Sequence, residues 1–133
     1  GWLLQRLIEL RQGKLPNETG GVLVGSFDMQ RKIVYIVDTI PSPSDSKEWP
    51  TVYIRGFQGL SNQMENINKL TNGGLEYVGE WHSHPDGYGC LPSVDDQKAF
   101  VSLKEHMAME GKPVLMLIVG ATNQIGWYLG QMG

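Results

Sequence analysis

Two histidines one residue apart, His82 and His84, end an apolar run and are followed by Pro85-Asp86-Gly87-Tyr88-Gly89. The residues before them, Leu75 to Ser83, read as a strand. Side chains on a strand alternate, so His82 and His84 aim at one face. Pro85 cannot continue a central strand, and the glycines behind it make a tight loop. A helix predicted from about Val94 to Met109 comes next and carries Asp96 in its first turn. Asp96, Phe100, Leu103 and Met107 fall on one stripe, so this carboxylate points the way the core residues point. An inward carboxylate is costly unless it is paired or bound to a metal. Two imidazoles and a carboxylate converging from a strand end and a helix start form a three-ligand zinc site. The fourth tetrahedral position stays free for water, which is the catalytic rather than the structural pattern.

Each of these residues has a plainer reading. Ser93-Val94-Asp95-Asp96 is also a capping pattern, Ser-x-x-acid before an apolar run, and that reading places Asp96 in the first turn. Capping and catalysis compete for the one hydroxyl of Ser93. Asp95 is adjacent, but the spacing and the stripe both choose Asp96. A structural zinc site of His82, His84, Cys90 and His106 matches none of the usual spacings, and His106 falls on the exposed side of its helix. Nothing marks Cys90 as an activated nucleophile, so packing is its expected task.

The elements that must hold this constellation read as follows. Trp2 to Gln12 is a helix with Leu3, Leu7 and Leu10 on one stripe and Gly13 as its stop. Val22 to Phe27 and Lys32 to Ile40 are strands around a turn at Asp28-Met29-Gln30-Arg31. Pro41 to Pro50 is a long polar loop, with a short strand at Thr51 to Ile54 after it. A second helix, about Gly56 to Thr71, carries Phe57, Leu60, Met64, Ile67 and Leu70 at three- and four-residue steps. Val114 to Val119 and Gln124 to Leu129 are two further strands around Ala121-Thr122-Asn123. The Trp and Met residues fall mainly on apolar stripes and read as core.

Composition narrows the function classes. A chain of 133 residues is the size of one domain, 1–133, and 41% hydrophobic residues suffice for a core. Beginning with Gly1 rather than Met, it reads as a domain cut from a longer protein. A net charge of -3 without a basic patch gives no support to nucleic-acid binding. No apolar run is long enough to span a bilayer, so no membrane partner is expected. A single cysteine excludes an internal disulfide framework and fits a cytoplasmic location.

Glu18-Thr19-Gly20-Gly21, Trp81-His82-Ser83-His84-Pro85, Gly87-Tyr88-Gly89-Cys90 and Ser93-Val94-Asp95-Asp96 together resemble the JAMM (Jab/MPN) metalloprotease family of isopeptidases. The resemblance covers most of the chain. It implies an α/β fold with a bent, mixed sheet of about six strands flanked by helices. It also implies one Zn2+ held by His82, His84 and Asp96, with Glu18 as general base and Ser93 steadying the oxyanion. By sequence alone Glu80 is a rival base, two residues before His82 on the same strand face; the resemblance favours Glu18. Pro85 to Pro92 makes the loop one residue longer than the family's usual spacing.

The implied activity is zinc-dependent cleavage at the C-terminus of a ubiquitin-like protein, as deconjugation or precursor processing. An extended tail of such a protein could add as a strand to a sheet edge. Glu80-Trp81-His82 and the compact size look most like prokaryotic members, which act with ubiquitin-activating-like and conjugating-like enzymes, some in antiphage operons. The same resemblance allows a peptidase for a sulfur-carrier protein in cofactor or cysteine synthesis. It also allows a non-catalytic MPN scaffold, although scaffolds generally lack the metal ligands kept here.

Overall fold

The computed structural model describes residues 1–130. Its elements run α1 (Trp2–Gln12), β1 (Gly20–Asp28), β2 (Ile33–Pro41), β3 (Lys47–Glu48), β4 (Tyr53–Ile54), α2 (Leu60–Leu70), β5 (Glu76–Ser83), α3 (Val94–Ala108), β6 (Val114–Val119) and β7 (Ile125–Gly130). Five strands make one mixed sheet in the order β2-β1-β5-β6-β7, and β3 with β4 forms a separate two-stranded ribbon. Only β5 and β6 pair in parallel, and α3 makes the crossover between them. The expected α/β architecture is the one observed.

The order follows from where the apolar runs must go. Every residue of β6, Val-Leu-Met-Leu-Ile-Val, is buried, as are the first six of β1, so both strands lie inside the sheet with both faces covered. On one face α1 lays Leu7 against Leu23, Trp81, Leu115, Leu117 and Val119. On the other, α2 packs Leu60, Met64 and Ile67 over Val22, Val24 and Ile40. The register Val22–Glu80–Met116 places Glu80 on this second face, and His82, two residues on, shares it. There α3 runs along β6 and β7.

Several expectations change. The polar stretch Pro41 to Pro50 contains β3, which pairs with β4 through Lys47–Ile54 and Glu48–Tyr53. A strand of two residues is too short to show a period. The second helix starts at Leu60, not Gly56, because Gly59 takes a left-handed φ of 73° and the Asp45 carboxylate takes the backbone N–H groups of Phe57 and Gln58. Phe57 and Leu70, the two ends of the apolar stripe read for this helix, are 74% and 86% exposed. Of the four tryptophans only Trp81 is core; Trp2, Trp49 and Trp127 are exposed, as are Met29 and Met109. No helix among the described residues is long and apolar enough to cross a membrane.

Candidate metal centre

Strand β5 delivers His82, and the backbone N–H of His84 continues the ladder by donating to the Val119 carbonyl at 2.9 Å. Both rings reach the same face, their centroids 5.3 Å apart. Helix α3 brings the carboxylate. Ser93 caps it in a full capping box: its Oγ accepts from the Asp96 N–H at 3.0 Å, and its own N–H donates to Asp96 Oδ2 at 2.9 Å. That box holds Asp96 Oδ1 at 3.1 Å from His82 Nε2 and Oδ2 at 2.9 Å from His84 Nε2. Glu18 arrives by strand pairing. Gly20 opens β1 opposite His82, and the Ser83 N–H donates to the Thr19 carbonyl, so Glu18 comes in beside His84. A Cβ on Gly20 would stand 2.4 Å from the Trp81 carbonyl oxygen, so glycine is needed for that approach.

The donor set fits a metal ion. One ligand atom from each of His82, His84 and Asp96 lies within 4.8 Å of the others. His84 Nδ1 stands 2.8 Å from the Gly89 carbonyl, which fixes the proton on Nδ1 and turns the Nε2 lone pair toward Asp96. Two lone-pair bearers at 2.9 Å need a cation between them, a proton or a metal. Among the described residues His82 Nε2 is buried and has no hydrogen-bond partner, although Asp96 Oδ1 lies 3.1 Å away. Burial works to raise the Asp96 pKa, but the two imidazoles and the Ser93 N–H outweigh it and hold the carboxyl far below its usual range. That favours the carboxylate form, the form a metal ion would need.

Glu18 is buried and sits with His82, His84 and Asp96 in a cleft of about 590 Å³. Burial raises its pKa; His84 and His82 pull it down and Asp96 pushes it up, with burial winning. The cleft leads away from the triad between α3, through Ala99 and Leu103, and the ribbon, through Tyr53 to Arg55, over a floor of Glu80 and Met116. Glu80 is not free for chemistry: Arg55 Nε holds one oxygen at 2.7 Å and the Tyr77 hydroxyl the other at 2.8 Å. His106 is exposed and Cys90 stands outside the donor cluster, its carbonyl accepting from the Tyr128 hydroxyl.

A family model describing prokaryotic homologs of the JAB domain matches residues 2–129. The chain belongs to this family. A CD-NTase/cGAS isopeptidase of Enterobacter hormaechei subsp. hoffmannii is 36% identical over 104 residues, covering 78% of this chain and 56% of that protein. One of Vibrio cholerae serotype O1 is 30% identical over 121 residues, covering 90% and 73%. This chain therefore spans little more than half the length of the first. Among solved structures, a JAB1/MPN domain protein from Archaeoglobus fulgidus has the same fold, with a TM-score of 0.50 and 21% identity over 95% of this chain and 82% of that one. A protein from Desulfitobacterium hafniense has a TM-score of 0.54 and 18% identity, covering 96% and 78%.

This JAB domain holds its site with two residues that sequence reading passed over. Arg11, buried at the end of α1, donates from Nε to the His84 carbonyl at 2.8 Å and from Nη2 to Asp86 at 2.9 Å. Gly120 lets the loop over the site close: a Cβ there would meet the Gly89 carbonyl carbon and oxygen at 2.5 Å. That oxygen is the one His84 Nδ1 uses. Gly120→Ala is therefore expected to weaken metal affinity by roughly 10- to 100-fold, the usual cost of losing a partner that orients a ligating histidine. Isothermal titration with Zn2+ checks this, and wild-type affinity in the variant would refute it. No local signal could have found Arg11, whose partner is 73 residues away.

Proposed function

We propose that this domain is a zinc-dependent isopeptidase or peptidase that cuts at the C-terminus of a ubiquitin-like protein or its conjugate. The observation carrying this reading is one juxtaposition. His82, His84 and Asp96 converge at the end of an open cleft with a buried carboxylate, Glu18, beside them. The relatives carry the name CD-NTase/cGAS isopeptidase, so conjugates containing a CD-NTase belong in the substrate screen beside those of ubiquitin-like proteins.

His82, His84 and Asp96 would hold the zinc, which when bound supplies a Lewis acid that makes water a nucleophile near neutral pH. Glu18 takes the proton of the attacking water on its carboxylate and passes it to the leaving amine. Burial raises its pKa above that of a solvated glutamate, which makes its carboxylate a stronger base. Ser93 would donate to the developing oxyanion. Its cap uses only the acceptor side of the hydroxyl, and among the described residues no partner takes the hydroxyl's own proton. Cap and oxyanion donor are thus compatible. An extended tail would lie along the ribbon edge, with main-chain hydrogen bonds giving affinity and alternate side chains entering the cleft.

Metal content tests the reading without knowledge of the substrate. Wild-type protein purified with zinc supplied should carry about one zinc per chain, as a three-ligand site requires, and a chelator should abolish cleavage reversibly. A chain that takes up no zinc would sink the hydrolase reading.

A further inference from the structure

The ribbon that walls the cleft cannot stand alone. It has two residues in each strand, closed by a turn in which the Trp49 N–H donates to the Val52 carbonyl, and isolated hairpins even longer than this are marginal in water. Polar ties hold it instead. Glu48 takes hydrogen bonds from Lys14 and from the Thr19 hydroxyl, and the Glu18 N–H donates to the Trp49 carbonyl at 2.9 Å. Those ties bind the turn end to the start of β1. At the other end Arg55 reaches Glu80 on β5 with a 2.7 Å hydrogen bond between side chains only 18% and 16% exposed. Tyr77 satisfies the second oxygen of Glu80, and Arg55 Nη1 donates to the Gly56 carbonyl. Phe57 lies 5.0 Å from the guanidinium and covers it, which gives an exposed aromatic ring a task.

Glu80 stands two residues before His82 and on the same face, so the anchor sits in the cleft floor beside the site. It is a charge-assisted pair largely screened from water, the strong class of side-chain hydrogen bond.

We infer that Arg55 and Glu80 are positioning residues, which fasten the β3–β4 ribbon as a preformed cleft wall that an extended substrate tail meets already in place. The inference rests on the proposed hydrolase reading for its consequence in catalysis, but not for its consequence in structure. No partner protein is needed to order the ribbon, and the domain alone presents the complete cleft.

Amide hydrogen exchange over residues 45–58 decides the structural half, in the wild type, Arg55→Ala, Arg55→Lys and Glu80→Gln. Wild-type ribbon amides should be protected. Arg55→Ala and Glu80→Gln should speed their exchange about tenfold or more, as the loss of a hydrogen bond to a charged group implies. Arg55→Lys, which keeps the charge but not the planar fork, should fall between. Zinc content and circular dichroism should match the wild type in all of them, which separates a loose wall from a misfolded domain. Once a substrate is found, Arg55→Ala should raise KM about tenfold, with kcat changed less, because the tail loses its wall rather than its chemistry. Ribbon amides unprotected in the wild type, or indifferent to Arg55→Ala, would overturn the inference. So would a loosened ribbon with unchanged KM. If the wild type cleaves nothing, the functional reading fails while the exchange measurement still decides the anchor.

Discussion

Glu18→Gln should lower turnover by about 10²- to 10⁴-fold, the usual contribution of a positioned acid–base group, while zinc content and thermal stability stay near the wild type. The substitution keeps the size of the side chain and removes only its ability to take a proton. Its backbone tie to Trp49, which fixes the entry of β1 into the site, does not involve the carboxylate. Among the described residues the buried carboxyl makes no salt bridge, and burial works against its ionised form, so the neutral amide is tolerated there. A steady-state assay on any conjugate cleaved by the wild type checks this, run beside zinc analysis and a melting curve. The matching control is Glu80→Gln. Both Glu80 oxygens are engaged by Arg55 and Tyr77, so its loss should act through the ribbon and appear in KM. Full activity in Glu18→Gln would remove Glu18 from the chemistry, and a kcat collapse in Glu80→Gln would make Glu80 the base instead.

How far the sequence reaches depends on the range of the interaction that places each residue. His82 and His84 are legible because strand alternation is a rule of period two acting within three residues. Asp96 is legible because a capping box spans four residues and a helical stripe repeats over a few turns. Glu18 is different. It reaches the site through the pairing of β1 with β5, strands far apart in sequence, where Gly20 meets His82, and only the resemblance to a family singled it out over Glu80. The competition foreseen for the Ser93 hydroxyl dissolves in the structure, since accepting from the Asp96 N–H leaves its proton available. Of the ribbon, β4 lies within the short strand read at Thr51 to Ile54, but β3 escaped notice because a two-residue strand carries no alternation to read, and the ribbon's ties run to Lys14, Thr19 and Glu80 rather than to neighbours. Phe57 shows the converse failure. Its spacing fits the helical stripe, yet Gly59 breaks the helix before it, and the ring covers a guanidinium instead of the core.

Asp96→Ala should abolish zinc retention through purification and weaken zinc binding beyond the roughly 100-fold that marks the loss of a mere orienting partner, with cleavage falling below detection. The reason lies in what Asp96 does twice. One carboxylate lies between two imidazoles, where it would be the anionic ligand, and the same carboxylate closes the box on the Ser93 N–H. Removing it leaves His82 Nε2 and His84 Nε2 without the carboxylate that bridges them, and frees the first turn of α3. Asp96→Asn separates the two roles. The amide oxygen can still accept from the Ser93 N–H, so the helix start should survive, whereas a neutral amide is a poor ligand. Asn should therefore lose zinc nearly as completely as Ala while melting closer to the metal-free wild type. Zinc analysis and paired melting curves of the metal-free proteins test both halves. Zinc retained at about one per chain in Asp96→Ala would move the third ligand elsewhere. Equal stability of the Asn and Ala variants would mean that the capping box contributes little, and that α3 is held in place by its packing along β6 and β7.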